Sequence, residues 1–462
     1  MKLKNINPIV AIFIISIFLE AMDAFSFYSI PITWIGIALI IGLYIFNYFF
    51  GYDYEFDELP SLRVWLFYIF SITVIRALSF EAILPEYATT TFSQYISLRL
   101  LKLLGFIATI WAIHFISEYV NKEKIIEYLV YVGIVVSLLS LYSYFSYFFE
   151  LPDFTRSRSG SGGWTQPIRR ACSILRNYGT FREPSFLAVW SAPIIPLIFH
   201  LAKRNRYWYF VSIIPILSIV LTRSLTGIIS LILAFLLALI ISMIKNKSIN
   251  FHLLIPIVMI IIFSVLGNSI SYKFPALDPS MCPPESPDKC NCSIYEDELD
   301  EAKNSENITK SIYNRLTLIT SGGVGAFENI SFLREYISSE NIKIFGDGLG
   351  ASNIKYSEKF IEISKLEKNG KITFRNPGQI VSFNNLYANI YLSSGLIGLL
   401  WFFSIILNIL KKLLNRFTDL NLYLFCNIFV ILLMYLFQAE ELSLSFAISI
   451  GLITLKEKNE QK

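Results

Sequence analysis

Apolar residues run along this chain in twelve blocks separated by shorter polar stretches. They cover roughly 8–27, 29–50, 62–80, 101–119, 125–148, 185–202, 207–222, 225–244, 251–269, 386–410, 419–437 and 441–455. Each approaches the roughly 20 residues that an α-helix needs to cross a hydrocarbon core. Inside a bilayer every backbone polar group must be satisfied within its own segment. The pattern therefore predicts an all-α, polytopic membrane bundle of about 12 transmembrane helices. Lys2/Lys4, Lys122/Lys124, Lys203-Arg204-Asn205-Arg206, Lys245/Lys247, Lys411/Lys412/Arg416 and Lys456/Lys458/Lys462 fall at alternate block ends. Positive charge is retained on the cytoplasmic side, which puts these ends and both termini there. The acidic stretch Gly51–Leu59 falls on the same side and lends the scheme no support. The first block follows Met-Lys-Leu-Lys without a small-residue cleavage site, and reads as a retained helix rather than a removed signal peptide.

This orientation divides the chain into N-terminal helices (1–149), an outer loop (150–184), central helices (185–269), a large outer loop (270–385), and C-terminal helices with a cytoplasmic tail (386–462). The large loop far exceeds an ordinary connection. Its early part, Pro279–Glu306, is rich in Pro, Cys, Asp and Glu and reads as a solvated excursion. Ile312–Ile319 and Ile330–Ile342 then carry helical spacing, before Gly346-Asp347-Gly348-Leu349-Gly350 breaks it. A small helical domain folded over the outer mouth of the bundle is expected. No internal repeat is evident, which weighs against a symmetric transporter.

Composition agrees: of 462 residues 54% are hydrophobic and 16% charged, where a soluble chain carries about 25% charged. The basic residues sit at loop ends as topology signals, so nucleic acid is not expected as a partner. Among 5 cysteines, Cys282, Cys290 and Cys292 lack a fourth ligand at zinc spacing. They are read as one local disulfide with an odd partner, or as free thiols, with Cys172 in the other outer loop. All three histidines, His114, His200 and His252, lie in or beside apolar blocks. Outward-facing chemistry then runs without imidazole, which removes histidine-based metal sites there.

One charge cluster contradicts the orientation rule. Between Leu151 and Pro184 stand Arg156, Arg158, Arg169, Arg170, Arg176 and Arg182, with no lysine. Outer loops are normally poor in positive charge, and guanidinium forks grip phosphate at two points. Arg176 and Arg182 flank Gly179 and precede Pro184, which suits the first turn of a helix whose N-terminus would add to an anion site. The competing use is snorkelling to lipid headgroups. Arg156 and Arg158 lie in the Ser/Gly-rich run Ser157–Gly163 and are read as loop charges as readily as contacts. Glu183 is read either as a general base toward a sugar hydroxyl or as the salt-bridge partner that holds the arginines. Glu20, Asp23, Arg76, Glu440 and Glu441 lie in or at the ends of blocks, where ionisable residues are costly and often functional. Arg76 is expected to pair with an acid on a neighbouring helix. Gly346-x-Gly348-x-Gly350 lacks the strand–turn–helix context of a dinucleotide fingerprint. It reads as a glycine hinge turning back toward the membrane, or as a sugar or phosphate contact.

At these residues the chain resembles the O-antigen ligase/polymerase superfamily of bacterial envelope glycosyltransferases. Arg176-x-x-Gly179-Thr-Phe181-x-Glu183-Pro184 looks like that family's arginine/glycine/phenylalanine segment, in the Glu-Pro form of polysaccharide polymerases. Thr222-Arg223-Ser224-Leu-Thr226-Gly227 is similar to its serine turn, and Arg315 with Gly346-x-Gly348-x-Gly350 to its loop arginine and glycines. Asn384-Asn385 followed by Gly395-Leu-Ile-Gly398 is similar to the segment that re-enters the membrane. The resemblance covers about residues 100–455 and rests on the order of short motifs. Ligases of the family usually carry His-Asn where Asn384-Asn385 stand, so the departure points to a Wzy-type repeat-unit polymerase. It implies a metal-independent glycosyltransferase of the bacterial cytoplasmic (inner) membrane, acting on undecaprenyl-diphosphate-linked glycans, with a chain-length regulator protein as partner. It also implies catalytic roles for Glu183, Arg176 and Arg182, and substrate contacts at Arg169, Arg170, Arg223, Arg315, Asn384, Asn385, Gly346 and Gly348. The alternatives are a ligase that transfers finished polymer to lipid or protein, and a transporter or flippase for a lipid-linked sugar.

Overall fold

The computed structural model describes residues 7–23, 33–49, 60–79, 91–146, 149, 151–153, 176–247, 250–273, 328–357, 380, 382–437 and 441–455. Their regular structure is helical. The helices are α1 (Pro8–Glu20), α2 (Thr33–Phe49), α3 (Pro60–Ser79), α4 (Phe92–Ile116), α5 (Lys122–Ser146), α6 (Pro184–Ser191), α7 (Ile194–Arg204), α8 (Tyr207–Val211), α9 (Ile213–Leu221) and α10 (Leu225–Asn246). They continue with α11 (Phe251–Lys273), α12 (Glu328–Ser339), α13 (Leu386–Asn415), α14 (Asp419–Met434) and α15 (Leu444–Thr454).

The described part of every apolar block is mostly helical. Among the described residues six helices are long and apolar enough to cross a membrane: α3, α4, α5, the continuous pair α6–α7, α10 and α13. Six further apolar helices are shorter, at 10–17 residues. Hydroxyls inside these apolar helices return their protons to the preceding turn, as in Ser137 to Gly133 (2.7 Å), Ser394 to Ile390 (2.6 Å) and Thr73 to Ile69 (2.7 Å). That satisfies a polar group where no water competes. Helix starts are set by local caps. Thr91 and Gln94 form a capping box, so α4 begins nine residues before its apolar block and carries Arg99 and Lys102 on helix. Pro184 opens α6 at its first turn, as its missing N–H allows.

Antiparallel packing gathers the connections at two ends. One end joins His200 and Arg204 to Glu123 (3.1 and 2.7 Å), and Lys203 to Asp419 (2.5 Å). The opposite end holds the segment 176–183, the turn 222–224, the glycine segment 346–350 and the start of α13. Helix α12, within the stretch with helical spacing, packs through Leu333 and Tyr336 on Tyr356, Phe383 and Leu392. Cys426 is a buried free thiol, while Cys172, Cys282, Cys290 and Cys292 lie outside the described residues, as does the expected helix Ile312–Ile319.

Candidate functional site

The arginine segment is anchored from below by a buried polar knot. Asn177 is buried; its Oδ1 accepts from Ser140 Oγ at 2.8 Å, and its Nδ2 donates to the Ser218 carbonyl at 3.1 Å. The Asn177 amide donates to the Leu221 carbonyl at 2.9 Å. Gly179 passes so close to α5 that a Cβ there would meet Ser140 Cα at 2.7 Å, and its φ is +49°. Both facts require glycine. Thr180 donates to the Ala21 carbonyl at 2.6 Å, and Phe181 is buried against Trp190.

This knot brings two of the motifs together. Arg176 Nε donates to the Thr222 carbonyl at 2.8 Å. The following residue, Arg223, sits in left-handed backbone at φ +53°, and Thr222 Oγ1 receives the Ser224 amide at 3.0 Å. Such a conformation is rare for a residue with a side chain and costs about 1 kcal/mol or more. The tight turn places Arg223 one residue from the carbonyl that Arg176 holds.

Arg182 is fixed by a residue 159 positions away. Asp23 Oδ2 accepts the Arg182 backbone N–H at 3.2 Å and lies 3.4 Å from its Nε. The guanidinium carbon stacks 4.0 Å over the Phe186 ring. Glu183, next in the chain, caps α6 only through its backbone: its side chain makes no cap bond and accepts from Ser185 Oγ at 3.2 Å. Among the described residues the carboxylate paired with Arg182 is Asp23. Further along the same end, Glu441 is held by Arg99 and by Lys102 (2.5 Å), and the charge of Arg182 also falls on it. Arg99 stands just before the apolar block that starts at about residue 101 and Lys102 just inside it, so the pattern alone did not mark the pair. The spacing of Thr91 and Gln94, which form the capping box, is the signal that could have marked the earlier start of α4.

The other two motifs also meet. Helix α13 breaks at Gly395, at φ 75°. The glycine segment docks at that break: Asp347 and Gly348 amides donate to the Leu392 and Ser393 carbonyls at 2.9 Å each, and the Leu396 amide donates to the Lys343 carbonyl at 2.8 Å. A Cβ on Gly346 would meet the Ser393 carbonyl carbon at 2.1 Å, so this close approach, rather than a hinge alone, explains the glycine. From the far side Trp65 Nε1 and Tyr68 Oη donate to the Gly398 and Ser394 carbonyls at 2.8 and 2.9 Å. The broken helix thus exchanges lost intrahelical bonds for tertiary ones. Among the described residues Arg76, expected to pair with an acid, donates from Nε to the Gly346 carbonyl at 3.2 Å. Asp347 bridges Lys343 and Lys355 at 2.5 and 2.6 Å. Burial opposes its ionisation, but hydrogen bonds from both lysines outweigh that and hold its carboxyl below the usual range.

Asn384 and Asn385 divide in role. Asn385 caps α13 by accepting the Ala388 amide at 2.9 Å, and its Nδ2 donates to the Leu436 carbonyl at 2.8 Å, tying α13 to the end of α14. Asn384 sits at φ +50° with its Oδ1 on Ser382 Oγ at 3.2 Å. Arg169, Arg170 and Arg315 lie outside the described residues. Among the described residues no three His, Cys, Asp or Glu side chains are grouped as metal ligands. Comparison with protein-family models, with characterised proteins and with solved structures finds no match.

Proposed function

We propose that this chain is a bacterial membrane glycosyltransferase that polymerises undecaprenyl-diphosphate-linked oligosaccharide repeat units on the outer face of the cytoplasmic membrane. In this reading all twelve apolar helices belong to the membrane bundle and the segment 270–385 covers its outer mouth. The observation that supports it most is the pairing of four separate motifs at one bundle end. Arg176 meets the Thr222–Ser224 turn, and Asp347–Gly348 meet Leu392–Ser393. The opposite end carries Lys203 and Arg204, as the cytoplasmic side should.

The reaction breaks the bond between the anomeric carbon of the growing glycan and its lipid diphosphate, and forms a glycosidic bond to a hydroxyl of the incoming unit. The diphosphate leaves with the electron pair, and Arg176, Arg182 and Arg223 stabilise the charge that develops on it. Fixed donors do this best where water is scarce. Glu183 accepts the proton of the attacking hydroxyl, a role suited to a carboxylate that, among the described residues, is hydrogen-bonded to a neighbouring serine alone.

Purified protein in detergent, given lipid-linked repeat units and no bilayer, should build a ladder of longer glycans. Absence of the ladder from folded protein would favour a transporter. Cells lacking the protein should accumulate single repeat units; full-length polymer held on the lipid carrier would identify a ligase instead.

A further inference from the structure

We infer that Asp23, in the turn just after α1, is the residue that positions Arg182 to receive a phosphoryl group. This rests on the proposal that Arg182 contacts the lipid diphosphate. One carboxylate oxygen, Asp23 Oδ2, takes the Arg182 backbone N–H at 3.2 Å and sits 3.4 Å from Nε of the same residue. It therefore hydrogen-bonds the backbone of Arg182 and pairs by charge alone with the inner edge of its side chain. Phe186 covers one face of the guanidinium at 4.0 Å. The anchor itself is firm, because Thr180 grips the Ala21 carbonyl two residues before Asp23. Among the described residues Nη1 and Nη2 of Arg182 make no hydrogen bond, and the side chain is 29% exposed.

What these contacts leave is a planar pair of parallel N–H donors on a guanidinium whose rotation is restrained. Two parallel donors match two oxygens of one phosphate, which an ammonium cannot do. Holding the fork in place before the ligand arrives reduces the ordering cost of binding. Phe186 is supplied by the helix that Pro184 starts, whereas Asp23 comes from the turn just after α1, more than a hundred residues earlier. Arg182 is thus aimed from two sides by elements that are unrelated in sequence.

The test is a double-mutant cycle on the full-length protein in detergent, with farnesyl diphosphate as the probe of binding. Asp23→Asn is near-isosteric and keeps an acceptor for the Arg182 amide, and a thermal melt checks that the fold is kept. Asp23→Asn should weaken binding about tenfold in the wild-type background and less than about twofold beside Arg182→Ala, since a positioning residue acts through its target. Wild-type affinity in Asp23→Asn, or the same loss in both backgrounds, overturns the positioning role while Arg182→Ala still weakens the probe. If Arg182→Ala itself binds as tightly as wild type, the diphosphate reading fails and the proposal falls with it.

Discussion

Arg176 and Thr222 are joined by one hydrogen bond, from Nε to a carbonyl oxygen at 2.8 Å, across 46 positions of sequence. That bond ties the arginine segment to the turn that carries Arg223. Lysine at position 176 keeps the charge but loses the in-plane Nε donor and the fork. Arg176→Lys should reduce glycan extension at least about tenfold while expression and folding stay near wild type. The ladder assay measures it, and a full-length ladder would remove Arg176 from the site.

Gly179 faces two penalties when substituted. Its φ is +49°, and an added Cβ would stand 2.7 Å from the backbone of Ser140. Gly179→Ala should cost about 2 kcal/mol or more, seen as a lower unfolding midpoint in mixed detergent. A midpoint equal to wild type would show that the segment yields freely.

Glu183→Gln separates two roles. The amide still accepts from Ser185, so a structural part is retained, whereas proton transfer is lost. A general base contributes about 10²–10⁴-fold. The turnover number should fall by at least about a hundredfold with KM little changed. A turnover number near wild type would leave Glu183 as a structural residue.

Gly346 lies against the backbone of Ser393, where a Cβ would approach to 2.1 Å. Gly346→Ala should push the glycine segment off α13 and expose the Asp347 and Gly348 amides now bonded to Leu392 and Ser393. Hydrogen exchange at these amides should rise by about an order of magnitude or more. Unchanged protection would mean that the docking tolerates a side chain.

Asp347 makes the same docking sensitive to acid. Burial raises its carboxyl's pKa, hydrogen bonds from Lys343 and Lys355 lower it further, and the net direction is down. A carboxyl with a depressed folded-state pKa stabilises fully above its unfolded value, about 3.9 for aspartate. The contribution fades as pH falls from there through the lowered value. Exchange across 343–355 should therefore stay slow from neutral pH down to about 4 and accelerate below. Asp347→Asn should be faster at neutral pH and lack that acid-dependent step.

Much of the architecture is legible in the chain as written. Apolar block lengths, the Thr91/Gln94 box and Pro184 at a helix start are local signals, because helical hydrogen bonds close within four residues. The same holds for the arginine excess before Pro184. What local pattern could not supply is the partner of each charge. Arg76 and Arg182 look alike as ionisable residues near apolar blocks, yet one finds the Gly346 carbonyl and the other finds Asp23. Arg99 and Lys102 gained their place from Glu441, more than three hundred residues later. The sequence alone determined which segments become helices and which residue types crowd their ends, since both follow from burial and short-range hydrogen bonding. Only the tertiary structure decided which ends meet, because an ion pair depends on which helices pack as neighbours, and twelve similar apolar segments carry little local record of that order.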